Sequence, residues 1–350
     1  MNILTSSIRA DGEYGELLSA VRRNFKDKPL PLLANGLCEG AAEAFLVSLI
    51  EDTCTPLSPD GGKSREGRKR TALIICPEEK DCLRLVQTLG QFGLRAALFS
   101  SRDLSFHDVV ASHEYEQARM KVLSGLVAGG LDAVVTTPDA AVGCTIPPDV
   151  LRSRSLHIGF DSAIDTATLA RQLVAAGYAR VELVEGAGQF AIRGDIIDVC
   201  APFGSYLNDE SEVLDGSRPL RIELFGDEID RMGLFDPDTQ RMTTDIQEAD
   251  LLPAREMLTD GEGLARLETV IGAQRRAAAS ETARRTLEEE LFALGNARRQ
   301  TYPSGSELHF LDKYMKVIYP ESACLLDYFS DRTLFVIRST SAVTERLRSS

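Results

Sequence analysis

A short run in the second half of the chain, Phe225-Gly226-Asp227-Glu228, has the residue types of a nucleotide site. An Asp-Glu pair after an apolar strand can hold the magnesium of a nucleoside triphosphate. The same residues also suit a tight hairpin, because Gly-Asp is a preferred two-residue loop between alternating strands. The hairpin is the favoured reading, since an acidic pair of that kind needs a phosphate-binding lysine loop to serve. Around it the charges alternate with apolar residues. Leu220, Ile222 and Leu224 fall on one side, and Arg221, Glu223 and Phe225 on the other. Upstream, Val181 and Leu183 alternate with Arg180, Glu182 and Val184. One face of a small sheet is therefore expected to be apolar and the other charged. By periodicity alone this is a solvated face with cross-strand ion pairs worth less than ~1 kcal/mol each. Ile192, Ile196 and Ile197 do not sort onto one face, which predicts a bulge at Gly194.

Other chemistries find little support. Seven cysteines are scattered without a C-x-x-C pair, and the four histidines have no metal-ligand spacing, so no metal or other cofactor is expected. No catalytic Ser/His/Asp order or dinucleotide fingerprint stands out, and no catalytic residue is assigned. The basic run Lys63, Arg65, Arg68, Lys69 and Arg70 has Gly and Ser between its charges and no aromatics for stacking, so it reads as a solvated loop. With 53 acidic against 39 basic residues the net charge is −14, and tight binding to naked duplex DNA is not expected. No apolar run approaches the ~20 residues that cross a bilayer. Met1 to Arg9 lacks the apolar core of a signal peptide, so a cytoplasmic location is expected.

These residues need a scaffold, and the apolar pattern supplies two textures. The first half alternates short apolar runs (Thr71–Cys76, Leu94–Phe99, Leu131–Thr136) with helical segments such as His113–Val127, as in a parallel α/β sheet. Near His157 the texture changes. Asp165 can cap a helix that carries Leu169 and Leu173 and stops at Gly177. Short alternating strands follow, expected to form an antiparallel sheet, with Gly204 to Pro219 as a polar, acidic loop. From Leu251 the pattern turns helical, with Ala277–Leu294 read as an exposed helix held by i,i+4 charge pairs. A last apolar strand, Thr333–Ile337, is expected to return to the first sheet.

Three stretches, in this order, carry a family resemblance: Gly177-Tyr178-Ala179-Arg180-Val181-Glu182, then Arg193-Gly194-Asp195-Ile196-Ile197-Asp198-Val199, then PLRIELFGDEIDRMGLFDPDTQR from Pro219 to Arg241. They closely resemble domain 2 of UvrB and the UvrB-like N-terminal region of bacterial transcription-repair coupling factors (the Mfd family). A weaker likeness runs from about Glu16 to Ile337. It includes Phe106-His107-Asp108-Val109, the Arg119–Leu126 helix and Leu251-Leu252-Pro253-Ala254-Arg255-Glu256. The TQR ending and the LLPARE segment favour the coupling factors over UvrB.

The resemblance implies a fold and a partner. The expected fold is α/β: a degenerate helicase-like, P-loop-type parallel-sheet domain (residues 1–158, UvrB domain 1a), an inserted α+β antiparallel domain (159–249, domain 2) and a mostly helical return (250–350, domain 1b). It further implies that Arg180, Phe190, Arg193, Arg221 and Glu223 belong to the surface that meets the excision-repair protein UvrA. Ala179 and Ala191 stand where family members carry arginines, which implies a smaller contact set. Where UvrB has a G-x-x-x-x-G-K-[ST] loop, this chain reads Gly36-Leu37-Cys38-Glu39-Gly40-Ala41-Ala42-Glu43. Ala42 replaces the lysine that reaches the phosphates, and Glu43 replaces the hydroxyl that holds magnesium. Glu39 and Glu43 also set two carboxylates beside a polyanion's place. The expectation is a relic loop in a non-enzymatic UvrA-docking module. In the family, RNA polymerase and duplex DNA are bound by other regions. The competing expectation is an ATP-dependent, UvrB-like repair enzyme with an unusual loop.

Overall fold

The computed structural model describes residues 3–25, 30–38, 40–54, 70–102, 109–299, 308, 310–330 and 333–349. Glu39, Phe106-His107-Asp108 and the basic run from Lys63 to Lys69 lie outside these described residues.

Helices α1 (Ile3–Arg9), α2 (Gly12–Asn24) and α3 (Ala41–Cys54) come first. Strand β1 (Ala72–Ile75), α4 (Glu79–Gln91), β2 (Ala96–Phe99), α5 (Val109–Ala128) and β3 (Ala133–Thr136) follow. Next come α6 (Pro138–Val142), β4 (Cys144–Thr145), α7 (Pro148–Ser153), β5 (Leu156–Gly159) and α8 (Thr166–Ala175). A run of strands succeeds them: β6 (Ala179–Arg180), β7 (Gln189–Arg193), β8 (Ile196–Cys200), β9 (Gly204–Asn208) and β10 (Val213–Gly216). It continues through β11 (Pro219–Phe225), β12 (Glu228–Phe235) and β13 (Met242–Leu251). The chain then forms α9 (Gly261–Ala277), α10 (Glu281–Arg298), α11 (Met315–Ile318), β14 (Ala323–Cys324), β15 (Phe335–Ile337) and α12 (Thr340–Ser349).

These elements make two compact units. One takes Met1–Arg102, Gly125–Gly143 and Cys324–Ser350, and the other takes Asp103–Ser124 and Cys144–Ala323. The first unit holds a parallel sheet of order β15-β1-β3-β2. Strands β1 and β3 are buried along their whole length, as their unbroken apolar runs require of inner parallel strands. Val21, Val47, Ile50, Leu85 and Leu89 of α2, α3 and α4 pack against them. The last apolar run does return to this sheet, pairing Val336 with Ile74.

The second unit holds the order β10-β9-β13-β12-β11-β8-β7-β6, with β5 paired to β13. All neighbours run antiparallel except β6 and β7. Helix α8 begins at Asp165, whose carboxylate accepts the Thr168 amide at 2.9 Å. Its Leu169 and Leu173 share a core with Phe190, Ile197, Val199, Leu220 and Ile222.

Three sequence expectations change here. The stretch from Gly204 to Pro219 is not a loop. Tyr206 is fully buried, and β9 and β10 pair around a turn that Asn208 closes by accepting the amides of Glu210 and Glu212. Nor is there a bulge at Gly194. Arg193 pairs with Ile196, so Gly194-Asp195 is a two-residue hairpin turn, with Gly194 at φ +62° supplying the left-handed first position. Once the turn is recognised, Ile192 and Ile197 do share the core face, and Ile196 takes the other. Gly226-Asp227 turns likewise between Phe225 and Glu228, which bears out the hairpin reading of that acidic pair. The helical stretch around Ala277 is also two helices, parted by Ala278–Ser280, with the Ser280 hydroxyl capping α10.

Two of the recognisable sequence blocks hold each other in place. Gly177 ends α8 at φ +86°, where an added Cβ would lie 2.8 Å from the Cβ of Arg255. The Tyr178 hydroxyl donates to the carbonyl of Leu252 at 2.5 Å, and the Ala254 amide donates to Ala176 at 2.8 Å. Glu256, fully buried, accepts two hydrogen bonds from buried Arg119 of α5 at 2.9 and 3.0 Å, and a third from the Thr145 hydroxyl. The strand-bearing block is thus tied to the Leu252–Glu256 segment by hydrogen bonds and glycine clearance, and that segment is tied in turn to α5 by a buried ion pair.

Candidate functional site

Residues opposite one another in an antiparallel ladder share a face, so register defines the outer surface of the large sheet. One transverse row reads Ala191, Asp198, Arg221, Gly233 and Asp245. The next reads Arg193, Ile196, Glu223 and Arg231. The core-facing row between them is Ile192, Ile197, Ile222 and Met232. The alternation read along Leu220–Phe225 therefore holds, with the charges opposite the core.

Asp198 organises the charged face. It is fully buried, between Val199 and Ile197 of an otherwise apolar strand. Arg221 binds it with both ends of the guanidinium, Nε to Oδ1 at 2.7 Å and Nη2 to Oδ2 at 2.8 Å. Arg221 also donates to the carbonyl and side-chain oxygens of Gln240, at 2.9 and 2.8 Å, and stacks 4.4 Å from the centre of the Phe235 ring. The Asp198 hydrogen bonds hold the Arg221 pKa above its ordinary value against the opposing effect of burial. Arg193 reaches the same carboxylate at 2.6 Å but keeps 43% of its side chain exposed. One buried acid thus supports two arginines, of which one is a strut and the other is presented to solvent. Planar forks suit such shared recognition, and their fixed geometry limits the entropy lost when a partner binds.

The sequence-assigned contact residues do not all join this face. Arg193, Arg221 and Glu223 do. Phe190 does not, because its ring is fully buried against α8 in the core, and it is corrected here to a packing residue. Arg180 is exposed, but β6 spans only two residues and pairs Arg180 with Phe190, in the register of the core row at the sheet's edge. The alternation expected through Val184 also fails. The chain leaves the sheet after Arg180, so Val181 and Val184 pack with Ala191, Cys200 and Phe235, while Leu183 is exposed. Asp198, Gln240 and Arg231 were missed. For Asp198 the signal was available: a lone acid inside an apolar strand calls for a cation.

The loop before α3 lies in the other unit. Gly36 and Gly40 have φ of +77° and +89°, and Ala42 and Glu43 occupy the first turn of α3. Residues 30–38 form no strand. Glu43 does not stand alone: Arg338, directly after β15, donates to its Oε1 at 3.0 Å. Among the described residues, no group of His, Cys, Asp and Glu could hold a metal ion.

Residues 156–257, which include the whole charged face, match the UvrB interaction domain family. Over 348 residues, 99% of this chain, the sequence is 27% identical to the transcription-repair-coupling factor of Bacillus subtilis. It is 38% identical over 124 residues to that of Myxococcus xanthus. It is 24% identical over 260 residues, 71% of the chain, to UvrABC system protein B of Chlorobium phaeobacteroides, covering 35% of that protein. The charged face thus lies wholly within the segment that matches the UvrB interaction domain. Over nearly its full length, the chain is similar to the transcription-repair-coupling factor of Bacillus subtilis. It spans about a quarter of the Bacillus subtilis relative, 27% of its length.

Proposed function

We propose that this chain is a docking module for UvrA in nucleotide excision repair, serving a coupling factor that links stalled RNA polymerase to repair. The observation that carries the reading is the Arg193–Asp198–Arg221 network, set on the outer face of the matched domain. A buried acid that braces a half-exposed arginine is a device for recognition, since stability alone is served as well by apolar packing. Within this reading, Arg193 and Glu223 are the central contacts, Arg221 positions Arg193 through Asp198, and Arg180 contributes from the sheet's edge. Contacts to RNA polymerase and duplex DNA belong to other regions of the coupling factors, and the chain works in the cytoplasm. Among the described residues no helix is long and apolar enough to cross a membrane. The working division of labour remains 1–158, 159–249 and 250–350, with docking assigned to the middle part.

The chain is further proposed to be non-enzymatic and to need no cofactor. Ala42 leaves the phosphate site without its cation, and the Glu43–Arg338 pair occupies the first turn of α3. The competing reading, an ATP-dependent UvrB-like enzyme of degenerate helicase-like fold, draws on the loop that still leads into a helix N-terminus. Isothermal titration with Mg-ATP separates the two, and micromolar binding would revive the enzyme.

Surface-plasmon titration of UvrA tests the docking. Arg193→Ala should weaken binding by ~1–3 kcal/mol while leaving the melting curve in place, because the side chain is half exposed. Arg180→Ala should weaken it less. Arg285→Ala, in an exposed i,i+4 pair of α10, is the control. Wild-type affinity for both Arg193→Ala and Arg180→Ala would show that the wrong face has been assigned.

A further inference from the structure

The docking reading accounts for Arg193 and Glu223 but not for two neighbours on the same face. Phe225 is 82% exposed, although it is a large aromatic two residues beyond Glu223 on β11. Its exposure does not come from a loose turn. The amide of Leu224 donates to Asp195 of the neighbouring hairpin at 2.8 Å, and Asp227 of its own turn accepts the Ile164 amide at 2.8 Å. A rigid tip therefore holds an aromatic ring in water. Arg231 ends the row that begins at Arg193. It is half exposed and steadied by Asp245, which accepts its Nε at 3.1 Å and its Nη2 at 2.9 Å. Alternation along β11 puts Phe225 on the face of Glu223, and the register shift after Glu223, which leaves Asp230 of β12 unpaired, sets Glu228 opposite Phe225.

We infer that Phe225 and Arg231 extend the docking face across β11 and β12, with Phe225 as its apolar anchor. This rests on the UvrA reading and names the residues that set its specificity. The row presents arginine, isoleucine, glutamate and arginine on four adjacent strands. With strands ~4.8 Å apart, the backbones that carry its two arginines stand roughly 14 Å apart, with one glutamate between them. The complementary surface is that of a folded protein, bearing a carboxylate for each arginine, a basic side chain for the glutamate, and an apolar pocket for the ring. A nucleic-acid strand does not fit. Its charges are all of one sign, whereas this row alternates and is rimmed by Asp195, Asp227, Glu228 and Asp230. Exposed aromatics and arginines at the centre of a patch are the side chains that most often dominate binding between proteins.

The test is UvrA affinity and melting of the whole chain carrying Phe225→Ala, Phe225→Ser, Arg231→Ala or Arg193→Ala. The expected result is a loss of ~10-fold or more for each Phe225 variant and ~5-fold for Arg231→Ala, with melting curves unchanged. Replacement of exposed residues should leave the fold intact, and the two Phe225 variants guard against an accident of one substitution. If the Phe225 and Arg231 variants bind like wild type while Arg193→Ala is weakened, the extension is overturned and the docking reading stands. If the wild-type chain does not bind UvrA at all, both are overturned.

Discussion

The start of α3 and the outer face of the large sheet use the same chemistry to opposite ends. At α3, Arg338 and Glu43 meet one to one, and each keeps only a quarter to a third of its side chain exposed. The charges answer each other and little is left for a ligand. On the sheet, one fully buried carboxylate is shared by two arginines, so the cluster carries a net positive charge that Arg193 presents. Stoichiometry and depth, not residue type, separate a closed pair from an open one. The difference follows from where each sits. A helix start places its carboxylate near the surface, whereas Asp198 lies on an inner strand, where arginines from the strands on either side meet its carboxylate.

Asp198→Ala should break the comparison most severely. It strands the guanidinium of Arg221, whose side chain is only 11% exposed, and should cost ~3–5 kcal/mol in denaturant unfolding, together with UvrA binding. A variant that melts like wild type would show that the network contributes little to either property. Gly177→Ala comes next, at ~2–3 kcal/mol, because it combines a left-handed residue with a Cβ pressed against Arg255. It should loosen the tie between α8 and the Leu252–Glu256 segment without touching the charged face. UvrA affinity measured on the folded fraction should therefore stay near wild type, which separates scaffold from contact.

Arg338→Ala should cost about 1 kcal/mol, since the pair is only partly buried, and should not bring ATP binding with it. Appearance of nucleotide binding on that single change would mean that the pair, and not the missing lysine, closes the site. The smallest effect belongs to His157, whose imidazole lies 2.8 Å from Asp250 on the paired strand and has its pKa raised by that hydrogen bond. A raised folded-state pKa adds stability that is complete below the unfolded value of ~6.5 and is lost as pH rises through the folded value. Both groups are well exposed, so melting should fall only slightly between pH 6 and 8, and Asp250→Asn should remove that slope.

By itself the sequence determined the elements whose signals are local. Unbroken apolar runs fixed β1 and β3, period-two alternation fixed β11, Asp165 and Gly177 bounded α8, and Gly226-Asp227 marked its hairpin. It also carried the charges of the outer face, because Arg193, Arg221 and Glu223 lie in motifs that can be recognised along the chain. Tertiary structure decided which of these meet. Gly194 looked like a bulge until strand pairing made it a turn; that register puts Asp198 opposite Ala191 within reach of Arg193, and the separate pairing of β8 with β11 puts it opposite Arg221. Strand pairing also sends Phe190 into the core and leaves Arg180 at the edge, although both are close to Arg193 in sequence. Arg221 with Gln240, Arg231 with Asp245 and Glu43 with Arg338 are joined across 14 to 295 residues. Periodicity says which face a side chain takes within its own strand, but only the register between strands gives it a partner.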